Sequence, residues 1–183
     1  APTIQKILDM DVWWKVLPDG TVHVTMDVEK NPEFPELPRF GLRLFLDQGL
    51  SQVVYCGMGP QESYRDKCQA AYHGIFHSDV SRLHEDYLRP QENGSHCGCD
   101  YVALEGEGYS LIAVSPREFS FNASPFTQEE LTEKKHNYEL APSGFTVLCL
   151  DYGQNGIGSH SCGPRLKEEY RLNEQKFSYE MRL

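Results

Sequence analysis

Apolar side chains recur at every second position in several separated stretches, and that period most narrows the folds open to this chain. Val22, Val24, Met26 and Val28 alternate with polar neighbours, as do Phe40, Leu42, Leu44 and Leu46, and again Phe177, Tyr179, Met181 and Leu183. A period of two puts one strand face in a core and the other toward water, whereas a helix would scatter these side chains around its axis. Between Val12–Leu17 and Thr21–Val28 stands Pro18-Asp19-Gly20, a turn sequence, so the two runs predict a hairpin.

The same reading extends along the chain. Gln52–Cys56 is a further strand. Asp100–Leu104 and Tyr109–Val114 form a second hairpin about Glu105–Gly108, and Phe119–Ala123, Phe145–Asp151, Glu169–Leu172 and Phe177–Leu183 complete the set. Pro35 and Pro38 interrupt strand between Asn31 and Pro38. Thr127-Gln128-Glu129-Glu130 has the form of a capping box and predicts a helix to about Lys135. Residues 57–99 read as irregular, with helix only around Tyr64–Ala71. A connection of that length in a compact domain is expected to line a site or an interface. Many strands with short turns and one or two short helices predict an all-β fold, a large antiparallel β-sandwich, as a single domain over residues 1–183.

Charge then limits the partners. With 27 acidic against 17 basic side chains the net charge is -10, so a nucleic acid or an anionic membrane surface would be repelled on average. The longest apolar runs are a few residues, against the roughly 20 a spanning helix needs, and the chain reads as soluble. Neutral ligands such as sugars remain open. The sequence starts Ala1-Pro2-Thr3 without a Met, so the molecule is expected to be processed or to be a piece of something longer.

Few motifs carry chemistry by themselves. Six cysteines are sparse for a disulfide framework, and most are expected reduced. Cys97-Gly98-Cys99 would put two thiols on one side of an extended segment, but no second close pair accompanies them, and His96 has no recognised zinc spacing, so no metal site is predicted. Gly158-Ser159-His160-Ser161-Cys162-Gly163 has the wrong spacing for a nucleophile elbow and reads as a tight polar loop. His73, His77 and His84 would share a face only if residues 72–85 were helical, and surface histidines are the simpler reading. Glu62, Glu92 and Asp151 are the carboxylates of interest, since each sits at a Gly/Pro-punctuated loop or strand end; a turn-stabilising or salt-bridging role is favoured over catalysis. Asn93-Gly94-Ser95 and Asn122-Ala123-Ser124 would accept glycans only in a secreted eukaryotic protein.

Five segments in order carry a family resemblance. They are Pro38-Arg39-Phe40-Gly41, Gly57-Met58-Gly59-Pro60-Gln61-Glu62-Ser63-Tyr64, Arg89-Pro90-Gln91-Glu92-Asn93-Gly94, Phe119-Ser120-Phe121-Asn122-Ala123-Ser124-Pro125-Phe126 and Asp151-Tyr152-Gly153-Gln154-Asn155-Gly156-Ile157-Gly158. Together they closely resemble the C-terminal, small-chain or fifth domain of the large bacterial β-galactosidases of glycoside hydrolase family 2. The resemblance implies the very large antiparallel supersandwich of the galactose-mutarotase-like class. It also implies a retaining glycosidase that hydrolyses terminal non-reducing β-D-galactose residues of galactosides such as lactose, with two carboxylates roughly 5 Å apart. In the family those carboxylates, and the assisting divalent cation, magnesium, belong to a central barrel domain that this chain lacks. No catalytic residue and no cofactor is therefore expected here, and the fragment alone should be inactive.

What the resemblance leaves to this chain is a wall of the substrate pocket. In the family the loop after Gly156-Ile157-Gly158 carries a Trp; here it reads Ser159, His160, Ser161 and Cys162, with Cys162 nearest that position. A thiol lacks the flat apolar face a pyranose prefers, and His160 offers a smaller ring. Glu62, Arg89, Glu92 and Asn93 are candidates for an interface or pocket, with residues 57–99 packing on the barrel. The implied partners are a galactoside, the other domains of the same polypeptide and further copies of the parent in a homo-oligomer, in a bacterial cytoplasm or periplasm. Two alternatives are a free-standing galactose mutarotase, needing a His acid and a Glu base across one cleft, and a non-catalytic carbohydrate-binding module using tyrosines such as Tyr64, Tyr87 and Tyr152 as platforms.

Overall fold

The computed structural model describes residues 5–157 and 164–183. Its strands are β1 (Leu8–Val16), β2 (Val22–Lys30), β3 (Arg39–Asp47), β4 (Gln52–Gly59), β5 (Tyr72–Asp79), β6 (Ser95–Gly106), β7 (Tyr109–Ser124), β8 (Phe145–Gln154) and β9 (Lys176–Arg182). Every pairing is antiparallel. The main path runs β1-β2-β9-β7-β6-β4-β5, and β8 leaves it from β7 and carries β3. The expected all-β sandwich is thus the observed class. Among the described residues no helix is long and apolar enough to cross a membrane.

Strand β7 is shared by both layers. Val114 pairs with Arg182 of β9, while Ser120–Ser124 pair with Asp151–Val147 of β8. β8 and β9 therefore leave β7 at different points and face each other across the interior. Tyr152 of β8 stacks on Phe177 of β9, centroids 4.3 Å apart, and meets Tyr179 edge-on at 5.7 Å; Phe40 of β3 meets Phe177 at 5.0 Å. Val24, Met26 and Val28, the alternating set of β2, are buried in this core with Tyr179, Met181, Leu150 and Phe121. Burial of this apolar surface is the main stabilising term.

Both predicted hairpins form, and β1 extends further than expected, to Leu8. The capping box also holds. Thr127 Oγ1 accepts from Glu130 N at 3.1 Å and opens helix α1 (Gln128–Glu133).

Four expectations are corrected. No helix occupies Tyr64–Ala71: Tyr64 and Lys67 exchange backbone hydrogen bonds of 3.0 and 2.9 Å as an isolated bridge. Residues 72–79, read as irregular, are the edge strand β5, and β6 begins at Ser95 rather than Asp100. The expected break between Val114 and Phe119 is absent, because the register to β6 jumps from Tyr101↔Val114 to Cys99↔Phe119. Pro116 falls in the bulged stretch, where no ladder donor is required. Glu168–Tyr170 form a 3₁₀ turn instead of a strand, closed by Tyr170 N to Lys167 O and Arg171 N to Glu168 O, both 3.1 Å.

Candidate functional site

The end of β8, the start of β3 and the loop before β6 meet at a partly buried charge network with Asp151 at its buried end. Arg39, the first residue of β3, donates from Nε and Nη2 to Asp151 Oδ1 and Oδ2 at 2.8 and 2.7 Å, and from Nη1 to Glu92 Oε2 at 3.0 Å. A register shift after Phe40 brings the backbone of Gly41 close to Asp151. A Cβ at position 41 would stand 2.6 Å from Asp151 Oδ1, so only glycine lets the pair close. Tyr64, fully buried, brings its hydroxyl to 3.5 Å from Glu92 Oε1 and accepts from Ser95 N at 3.3 Å.

The network continues through backbone. Glu62 Oε2 accepts from Gly94 N at 2.7 Å, and its Oε1 receives Lys67 Nζ and the Tyr87 hydroxyl. Asn93 is buried, with Oδ1 accepting from Glu85 N at 3.0 Å and its carbonyl accepting from Asn122. Gln154 Nε2 donates to Ser95 Oγ at 3.1 Å, and Asn155 N to Pro38 O at 2.9 Å. The Asp66 carboxylate packs directly on Gly156, where a Cβ would overlap it. Beside these groups opens a cleft of about 680 Å³, lined by Glu62, Lys67, Tyr87, Gln69, Ala71 and Glu85 among others.

Burial and hydrogen bonding pull these carboxyls apart. Burial raises Asp151 above the ordinary carboxylate range against the opposing pull of Arg39, and raises Glu92 likewise. Burial also acts to raise Glu62, but the bonds from Lys67, Tyr87 and Gly94 outweigh it and its net shift is downward. Burial works against the Arg39 charge, and the bidentate bond to Asp151 with the nearby Glu92 more than offsets that, so the guanidinium stays protonated. Every carboxyl of the network has a dedicated donor. Such a set fixes loop geometry.

Of the residues singled out from sequence, Glu62, Glu92, Asn93 and Asp151 all enter this network, in the bracing role favoured for the carboxylates. Arg89 is exposed and takes no part in it. Ser159, His160, Ser161 and Cys162 lie outside the described residues. Asn93 and Asn122 are buried and bonded, which removes them as glycan acceptors. Tyr64 and Tyr152 are core residues, the latter sandwiched between Phe177 and the Arg117 guanidinium 4.1 Å above its ring; Tyr87 alone of the three tyrosines lines the cleft. His73 and His77 are exposed on strand β5, which agrees with the surface reading and rules out a shared helical face.

His96 packs against both Tyr55 and Phe121, 4.5 and 5.2 Å between ring centroids, the two of them 5.0 Å from each other, with Nδ1 3.1 Å from Met58 O. Gly98 at φ +61 interrupts the extended run that was to align Cys97 with Cys99, and Cys99 is buried. Sequence reading did not single out Arg39 or Lys67. Their signals were an Arg beside a Pro at a strand start, and a Lys facing Glu62 across a bend. A magnesium ion would need a set of oxygen donors. The one group of three ligating side chains among the described residues, Cys56, His73 and Asp100, includes sulfur and nitrogen and does not fit that ion.

The family profile described as beta galactosidase small chain matches residues 1–183. The chain is similar to a beta-galactosidase of Actinobacillus pleuropneumoniae, 49% identical over 172 residues, covering 94% of this chain and 17% of that protein. It is 41% identical over 180 residues to a beta-galactosidase of Staphylococcus xylosus (98% and 18%) and 33% identical over 150 residues to one of Kluyveromyces lactis (81% and 14%). The chain spans less than a fifth of the length of these curated relatives. The five sequence segments, far apart along the chain, meet here through Arg39, Glu62 with Tyr64, Glu92 with Asn93, Asn122, and Asp151 with Gln154; with the match over residues 1–183, the chain belongs to the beta galactosidase small chain family.

Proposed function

We propose that this chain serves a β-galactosidase as its C-terminal domain, walling the substrate pocket with residues 156–164 while a barrel domain elsewhere in the polypeptide supplies the retaining pair of carboxylates and their metal ion. The observation that carries the reading is the bracing of residues 151–156 by the Arg39–Asp151–Glu92 network, the Asn155–Pro38 hydrogen bond and the Asp66–Gly156 contact. A loop that contacts sugar needs a rigid stem, and a partly buried charge network with paired carboxyls supplies one. The acidic surface is compatible with a neutral galactoside, which needs no opposite charge.

Two measurements test this. Replacing Ser159, His160, Ser161 and Cys162 together by Ala in the full-length enzyme should raise KM for lactose or lower kcat; unchanged values for both would remove the pocket role. The chain alone should release no aglycone from a nitrophenyl β-galactoside, because the proposed catalytic pair belongs to the barrel domain. The mutarotase alternative gains nothing from the geometry, since among the described residues no histidine lines the cleft beside Glu62.

A further inference from the structure

Outside that network, three side chains on adjacent strands converge at the solvent-facing surface of the sheet. Cys56 is on β4, which is flanked by β5 and β6. On β4, Val53, Tyr55 and Gly57 point into the core, so Cys56 points out. His73 of β5 lies opposite Met58, which shares the outer face with Cys56. Simple alternation would not bring Asp100 to that face beside Tyr101, the β6 partner of Cys56. The irregularity at Cys99/Tyr101 does: Cys99 and Val102 are both buried, so the two residues between them both face outward.

The result is a compact donor triangle. Cys56 Sγ lies 3.3 Å from Asp100 Oδ2, and His73 Nε2 lies 3.3 Å from the same oxygen. The three donor atoms stand within 4.8 Å of one another. Around a tetrahedral zinc ion, with bonds of about 2.3 Å to sulfur and about 2.0 Å to nitrogen and oxygen, neighbouring donors fall about 3.3–3.5 Å apart. The two edges at Asp100 already have that length, and the Cys56–His73 edge, within 4.8 Å, has only to close to about 3.5 Å to accept such an ion. His73 and Asp100 are exposed and Cys56 half-buried, so an ion has a path in and water can fill the fourth position.

We infer that Cys56, His73 and Asp100 form a binding site for a borderline-soft divalent cation of the zinc class. Thiolate and imidazole select against magnesium and calcium, and the single carboxylate completes a mixed S, N, O set. On binding, the Cys56 thiol loses its proton to solvent, and the metal replaces the two contacts that Asp100 now makes with the thiol and the imidazole. The ion would tie edge strand β5 to β4 and β6. It would thereby hold the segment ending at Ala71, one residue before β5, which forms part of the cleft wall.

Cobalt is the direct probe, because thiolate ligation gives Co²⁺ an intense near-ultraviolet charge-transfer band that oxygen ligands do not. Titrating Co²⁺ into the full polypeptide that carries this chain should raise that band to saturation, with Zn²⁺ abolishing it by competition. Cys56→Ser should remove the contribution of one saturable site, and His73→Ala and Asp100→Asn should each weaken Co²⁺ binding at least tenfold. A band identical in wild type and Cys56→Ser, or none at millimolar Co²⁺, overturns the site. Melting curves of the three variants without metal should match wild type, since these side chains lie at the surface, so loss of the band would report ligation and not unfolding.

Discussion

Arg39 grips Asp151 with two parallel hydrogen bonds of 2.8 and 2.7 Å, from a residue that precedes it by more than half the chain. Removing one partner of a buried pair leaves the other charged and unmatched, which costs about 3–5 kcal/mol. Asp151→Asn leaves Arg39 with Glu92 as its remaining carboxylate and is expected to destabilise the chain by about 3 kcal/mol, the low end of that range, in urea unfolding. Arg39→Lys, which keeps the charge but loses the planar fork, should cost about 2 kcal/mol. The double variant Arg39→Met/Asp151→Leu should lose less than the sum of the single losses. A cost below about 1 kcal/mol for Asp151→Asn would mean that the network does not brace the fold.

His96 gives a pH dependence with a definite sign. Burial against Tyr55 and Phe121 pushes its imidazole down to about 4 from 6.5. Between those values the unfolded chain binds a proton that the folded chain does not. Stability contributed by neutral His96 is therefore complete above pH 6.5 and falls by about 3 kcal/mol as pH drops toward 4. The raised carboxyls Asp151 and Glu92 act with the opposite sign, since their folded forms hold protons longer. The difference between wild type and His96→Phe isolates the histidine: the gap should shift by that amount between pH 4 and 6.5, and a constant gap would contradict the burial.

Gly94 and Gly20 both have positive φ, +71 and +90, but differ in surroundings. At Gly20 a Cβ would meet open space, whereas at Gly94 it would run into the carbonyl oxygen of Leu83. Gly20→Ala is expected to cost about 1 kcal/mol from backbone strain alone. Gly94→Ala should cost at least about twice that, read from thermal or urea unfolding, and should also weaken the bond from Gly94 N to Glu62. Equal costs would show that the Leu83 contact relaxes freely.

Thr127→Ala removes the acceptor for Glu130 N and should lower stability by about 1 kcal/mol, with Thr127→Ser restoring most of it. Circular dichroism across a urea series measures both.

The alternating strands β2, β3 and β9 were legible because one face of each is buried, so hydrophobicity carries the period. β5 was not legible. It is an edge strand with Tyr72 and Ile75 exposed and Gly74 at its centre, so neither face has a consistent character. Pro116 hid the continuity of β7 for the same kind of reason: a bulge that excuses a proline is written in the pairing with β6 and not in the local sequence. For the site, the carboxylates stood out at loop ends, whereas Arg39 did not, because its value lies in a partner 112 positions away. The residues at 159–162 were reached through family likeness alone.

The order of strands has a consequence for how the chain can be assembled. β9 sits between β2 and β7, so the N-terminal hairpin is joined to the rest of the sheet through residues 176–182. During synthesis β1 and β2 are made first, yet their seat is complete only after Arg182 has left the ribosome. Until then the outer edge of β2 stays unpaired and its apolar face uncovered, a state prone to wrong pairing. For this domain, closing the sheet waits on the arrival of β9, the strand that comes last of the nine in chain order.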